Sequence, residues 1–181
     1  EPRSWYSIDV VASAGTLPST QAVTVSVANV APSISSGAAG SVTEGAPAGT
    51  TVYTAAASDL AGGTVTYSLT GADAGAFSVN SATGVVTINA IPDYESKSSY
   101  AINVVASDGA LSSSRAVTVS VGDVAPTISS GAVGGVAEGA AAGTTVYTAV
   151  ASDVAGGTVT YSLAGADAGA FTIDPSTGVV A

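Results

Sequence analysis

The chain has 181 residues, 46% of them hydrophobic and only 9% charged, with thirteen acids against three bases for a net charge of −10. Without a histidine or a cysteine, it cannot build a histidine general base, a thiol nucleophile, a disulfide or a zinc finger. Arg3, Lys97 and Arg115 are its only cationic side chains, too few to neutralise phosphates, which excludes nucleic-acid partners and disfavours anionic membranes.

In chain order, Glu1-Pro2-Arg3 opens with neither an initiator Met nor a signal-type segment, so the chain reads as a piece of something longer. Residues 1–31 alternate Tyr, Ile and Val with small polar partners and predict two strands. A short strand follows at Ser33–Ser35, with a lead-in near Val42–Glu44. Thr51–Ala57 and Thr64–Leu69 carry β-branched and aromatic residues, and Gly62-Gly63 turns between them. Ala72–Ala76 supports at most one helical turn. Phe77–Val79 and Val85–Asn89 flank Ser81-Ala82-Thr83-Gly84, a hairpin signal. Tyr100–Ala106 and Ser114–Val121 close this run of strands with the same alternation. Gly84, Gly109 and Gly143 are expected at positive φ or in tight turns. No apolar run approaches the ~18–20 residues of a membrane helix, so no membrane insertion is expected.

The remainder repeats what came before. Residues 32–87 recur at 126–181 with an offset of 94, identical at 42 of 56 positions. Residues 1–31 match 95–125 at the same offset, identical at 19 of 31. The chain therefore divides into the C-terminal part of a repeat (1–31), a complete repeat (32–125) and the N-terminal part of another (126–181). About 94 residues with seven short strands and regular turns is the rhythm of an immunoglobulin-like sandwich. The partial repeats are complementary: 126–181 supplies the first five strands and 1–31 the last two. The expected partner is a neighbouring copy, docked head to tail, the alternative being one continuous array of which these residues are an excerpt. Tyr53, Tyr67, Phe77, Tyr147 and Tyr161 recur with the repeat and belong to packing. Trp5 corresponds to Ser99 at the offset of 94, so the repeat does not require it; it is either a ring packed on a neighbouring segment or a subunit contact.

Several motifs occur in a familiar order: Glu44 in VTEGAPAGT, Asp59 in AASDLAGG, Tyr67-Ser68-Leu69, Phe77 before a Thr-Gly hairpin, Asp93-Tyr94-Glu95, the run YAINVVASDG, and Asp123-Val124-Ala125-Pro126. This set resembles the cadherin repeat. The likeness is nearest to bacterial cadherin-like repeats of large extracellular adhesins and surface proteins, where GADAxxF and DYE also occur. It implies an all-β fold of tandem seven-stranded Greek-key sandwiches and an extracellular or cell-surface location. The implied function is that of a structural and adhesive fibre element rather than an enzyme. The rival reading is a module that binds carbohydrate or protein, for which Trp5 is the one exposed-type aromatic unique to a repeat.

The resemblance also implies calcium, which takes six to eight hard oxygen ligands. Carried over by position, one junction would gather Glu44, Asp93, Glu95 and Asp123, with Asp153 from the following repeat. The preceding junction would use Glu1 and Asp59, with Asn29. The chain departs from the family pattern. Its second aspartate is Ala61 after Asp59 and Ala155 after Asp153, and the linker retains one acid, Asp123, replaced by Asn29 in the earlier copy. One ion per junction is the expectation. The competing reading is that these acids are solvated turn caps on a repeat that has lost its metal.

Overall fold

The computed structural model describes residues 3–181, and among them the only helical segments are two 3₁₀ turns, Ala74–Ala76 and Ala168–Ala170. No helix is long and apolar enough to cross a membrane. The chain divides into two compact units. The first comprises the residues through Gly40, Thr51–Asn89 and Ala101–Val119, and the second comprises Ser41–Thr50, Ala90–Tyr100 and Ser120–Ala181.

The first unit begins with a long antiparallel hairpin, β1 (Trp5–Ala14) and β2 (Leu17–Ser26), in register from Trp5↔Ser26 to Ala14↔Leu17. Gly15 turns the chain at φ 65°. β3 (Ser33–Ile34) pairs with β6 (Ala57–Ser58). β5 (Thr51–Thr54), β9 (Val85–Ile88) and β8 (Phe77–Val79) form a three-stranded sheet in the order β5-β9-β8. A four-stranded sheet takes the order β4-β11-β10-β7, from β4 (Ala39–Thr43), β11 (Ser112–Gly122), β10 (Ser99–Ser107) and β7 (Thr66–Thr70). By sequence range, β4, β10 and β11 each contribute residues to both units.

Period-two alternation turns every second residue of β9, β10 and β11 toward the core, whereas β5 shifts register between Thr51 and Tyr53 and buries two residues in a row. Val52, Tyr53, Phe77, Val86 and Ile88 from the three-stranded sheet are buried, as are Ile102, Val104, Ala106, Val117 and Val119 from the four-stranded one. Thr51–Ala57 is not the single expected strand. At Ala55 the N–H donates to the Gly84 carbonyl (2.8 Å). The chain then leaves that sheet, and Ala57–Ser58 pair with β3 instead. The Tyr67 hydroxyl accepts from the Ala57 N–H (2.9 Å) and fixes the crossing.

In the second unit β12 (Thr127–Ile128) pairs with β14 (Ala151–Ser152), and β13 (Tyr147–Thr148) pairs with β15 (Val179–Val180). These reproduce β3–β6 and β5–β9 one repeat later. The five expected strands are not all realised, since residues 133–137 and 160–164 carry no ladder. Their counterparts, β4 and β7, are held by β11 and β10. Among the described residues no strand plays that part here.

One turn makes a pH prediction. The Asp174 carboxylate accepts from the Thr177 (2.9 Å) and Ser176 (2.8 Å) N–H groups. Those two bonds, Thr177 first, hold its pKa below the ordinary carboxylate range. Because the folded value is depressed, the bonds stabilise above the unfolded pKa, and that stability is lost as pH falls through the folded pKa. One repeat earlier Asn80 accepts from Ala82 and Thr83 in the same way, at 3.0 and 3.1 Å. Asp174→Asn is therefore expected to keep the turn while flattening part of the acid limb of the melting profile between about pH 5 and pH 2. An unchanged limb would count against this assignment.

Candidate metal centre

Glu44 sits at the end of β4, where its N–H donates to the Gly122 carbonyl (2.9 Å) and extends the ladder by one residue. The side chain is 3% exposed. One carboxylate oxygen accepts from the Val124 N–H (2.5 Å), the other from the Tyr94 N–H (3.1 Å). Gly45 N–H donates to the Pro92 carbonyl (2.9 Å). Glu44 thus ties the segment after β9 to the segment after β11. This draws Glu95 and Asp123 toward it: ligand oxygens of Glu44, Glu95 and Asp123 all lie within 4.8 Å of one another, the last two on exposed side chains.

Asp153 approaches the same place. Its Oδ1 accepts from Ala155 (3.0 Å) and Gly157 (3.2 Å), which points the loop 153–157 at Glu95. A Cβ at Gly157 would lie 3.1 Å from the Glu95 carboxylate and 3.3 Å from the Asp153 carboxyl carbon. The missing side chain leaves room for both acids. At Glu95 a hydrogen bond from its own backbone lowers the pKa. Partial desolvation, the charges of Glu44 and Asp153, and the Asp93 carboxyl outweigh it, and the net shift is upward. Negative charge is concentrated here without full compensation.

Asp93 is occupied differently. Its two oxygens accept from the Ser96 hydroxyl (2.6 Å) and the Ser96 N–H (3.1 Å). These bonds, the hydroxyl first, lower its pKa. Asp93 caps the turn that delivers Glu95, and its carboxyl also interacts with that of Glu95.

Within the first unit, Asp59 Oδ1 accepts from Ala61 (2.8 Å) and Gly63 (3.4 Å), while Oδ2 is buried without a hydrogen-bond partner. Asp59 and Asn29 line one small cavity of about 60 Å³, together with Arg3, Ser4 and Gly63. Asn29 Nδ2 donates to Asp108 (2.9 Å) and its Oδ1 accepts from Val30 (3.0 Å). The amide that replaces the linker acid is therefore engaged with protein groups. Glu1 lies outside the described residues.

The donor set fits calcium. Three carboxylates converge, a fourth stands beside them, and hard anionic oxygens are what the ion selects. Residue reading missed Gly157 and the Tyr94 and Val124 amides. The Gly-Gly pair after Asp153 was a usable signal, but it reads as a turn until the approach of Glu95 is known.

Residues 38–122 match the cadherin domain model. The chain is 34% identical over 161 residues to the Drosophila melanogaster protocadherin-like wing polarity protein stan, covering 77% of this chain and spanning 4% of that protein's length. Human protocadherin-24 EC1-2, crystal form II, superposes with a TM-score of 0.55 at 26% identity, covering 84% of this chain and 79% of that one. Human CDH23 EC21-23 gives 0.51 at 25% identity, covering 98% and 63% respectively. The fold is accordingly an all-β, cadherin-like sandwich.

Proposed function

Because residues 38–122 match the cadherin domain, an extracellular adhesion module without enzymatic chemistry, we propose that this chain is a structural and adhesive repeat of an extracellular fibre or surface protein. Its partners are neighbouring copies arranged head to tail, and one calcium ion stiffens the connection around Asp123–Pro126. The bacterial adhesin likeness of GADAGAF (71–77) and Asp93-Tyr94-Glu95 is part of this reading. The observation that carries it is the convergence of Glu44, Glu95 and Asp123 within 4.8 Å at the positions the family resemblance names, beside Asp153.

Calcium acts on rigidity here rather than on folding. Among the described residues the buried side chains are apolar apart from Glu44, so the core draws on groups that offer an ion no ligand oxygen. Chelation is expected to leave strand content intact by circular dichroism while widening the distribution of dimensions seen by small-angle scattering. Gly157→Ala is expected to weaken calcium binding about tenfold or more, since the new methyl displaces Glu95 while the strands stay folded. Titration calorimetry reads this directly. A chelated chain that unfolds would overturn the assignment of roles. A chain that takes up no calcium, or a Gly157→Ala variant that binds it normally, would overturn the site.

A further inference from the structure

We propose that Val154 is a positioning residue of the Asp123–Pro126 connection: its side chain, seated on Gly45, holds loop 153–157 against the turn after β4 and keeps Asp153 beside Glu95, whether or not an ion is bound. This deepens the calcium part of the reading above by naming what places the fourth acid, and its first test needs no calcium.

Four carboxylates meet here. Glu44, Glu95 and Asp123 have ligand oxygens within 4.8 Å of one another, and the charges of Glu44 and Asp153 both bear on Glu95. Like charges gathered this closely repel, so electrostatics alone drives loop 153–157 away from Glu95. The hydrogen bonds at Asp153 do not oppose this, because its Oδ1 accepts from Ala155 (3.0 Å) and Gly157 (3.2 Å) of the same loop. They fix the shape of the loop and leave its place undetermined.

An apolar contact supplies the place. Gly45 stands at φ 72° just past β4, with its N–H on the Pro92 carbonyl (2.9 Å). A Cβ there would lie 2.7 Å from Val154 Cγ2, 3.0 Å from Cγ1 and 3.4 Å from Cβ. Both Val154 methyls therefore rest over the Gly45 backbone, in space that any larger residue would fill. A β-branched side chain is stiff at χ1, so seating the methyls also fixes the backbone that carries them. Val154 is 58% exposed, as a knob gripped on one side must be. Gly45 follows Glu44 and Val154 follows Asp153, so this contact sets the two acids in one frame. A branched apolar residue stands after the aspartate in both copies, SDLAGG at 58–63 and SDVAGG at 152–157. A solvated turn draws on Gly, Asn, Asp, Ser and Pro and has no use for one.

The test uses the 181-residue chain, which has no cysteine of its own. Ser98→Cys and Ala166→Cys, both at exposed positions, carry spin labels for pulsed distance measurement. In chelator the wild-type pair is expected to keep one main distance, broader than with calcium. Val154→Ala is expected to broaden it about twofold or more, as undocked positions of the loop become populated. Val154→Ile keeps both branches at Cβ and has solvent to extend into, and should match wild type. Gly45→Ala should broaden the distances too. Adding Val154→Ala to it should restore part of the order, since only the Cβ contact at 3.4 Å then remains. In calcium titration calorimetry Val154→Ala is expected to bind about fivefold more weakly or worse with every carboxylate in place, because the competent fraction falls by that factor. Circular dichroism should show unchanged strand content throughout, since Val154 lies outside the ladders. Distances in chelator that Val154→Ala leaves unchanged, or that Val154→Ile broadens equally, would overturn the proposal. Wild type that takes up no calcium, with distances that still depend on Val154, would support it while removing the calcium reading.

Discussion

Glu44→Ala is expected to lower the stability of the complete repeat by about 3 kcal/mol even in chelator, through two backbone N–H groups left without their acceptor. Glu44 is 3% exposed, and both its oxygens are used, one by Tyr94 and one by Val124. Hydrogen bonds to a charged acceptor are the stronger kind, and the donors left behind are at the inner end of two connecting segments. An opposing effect exists, because Glu44 is one of the charges that raise the Glu95 pKa. Removing it relieves that repulsion. Glu95 is exposed, however, and solvent screens the repulsion. The lost hydrogen bonds win. The midpoint of thermal unfolding should fall by roughly 10–20 °C for a unit of this size. Glu44→Gln keeps one acceptor oxygen and should lose about half as much stability while still losing calcium affinity. Glu138 occupies the same repeat position but is exposed, so Glu138→Ala is the matched control with little expected change. A Glu44→Ala melt that superimposes on wild type in chelator would remove the structural role assigned to this side chain.

Strand positions were legible because the signal is local and written twice. Alternation in YAINVVAS and AVTVSV fixes which residues face inward, and the structure buries Ile102, Val104, Val117 and Val119 accordingly. The split between β5 and β6 was not legible. Nothing in TVYTAAAS marks the crossing, which the remote Gly84 carbonyl and Tyr67 hydroxyl enforce. The unladdered segments 133–137 and 160–164 make the same point. Their sequences are those of β4 and β7 with few changes, and among the described residues no strand pairs with them. Ladder formation is a property of the pair, not of the segment.

The candidate site divides along the same line. Glu44, Glu95 and Asp123 are far apart in sequence, and only the family resemblance, not spacing, grouped them. Asp93, grouped with them, interacts with Glu95 and also takes two donors from Ser96 three residues away. A short-range cap of that kind competes with any longer-range role. The Asp-to-Asn change at residue 29 was visible. Its consequence, an amide turned to Asp108, was not.

Gly84→Ala is the substitution with the largest expected cost, about 3–4 kcal/mol, from a left-handed backbone position and a clash in a packed region. Gly84 closes the hairpin between β8 and β9 at φ 72°. An added Cβ would lie 2.5 Å from the Ala55 carbonyl oxygen and 3.1 Å from the Ala55 Cβ. Ala55 is 3% exposed, so this neighbour has nowhere to retreat. Moving it would also stretch the Ala55 N–H bond to the Gly84 carbonyl (2.8 Å), the bond at which the chain leaves β5 for β6. The repeat provides an internal comparison. Gly178 has φ 70° and the same 2.5 Å approach to the Ala149 carbonyl oxygen. Ala149 is only partly buried, so its backbone can give way. Gly178→Ala should therefore retain the conformational penalty, about 1–2 kcal/mol, and lose most of the packing penalty. The two variants compared by urea titration separate the effects, because both place the same methyl on the same turn. Equal losses would mean that the complete repeat is no better packed at this hairpin than residues 126–181.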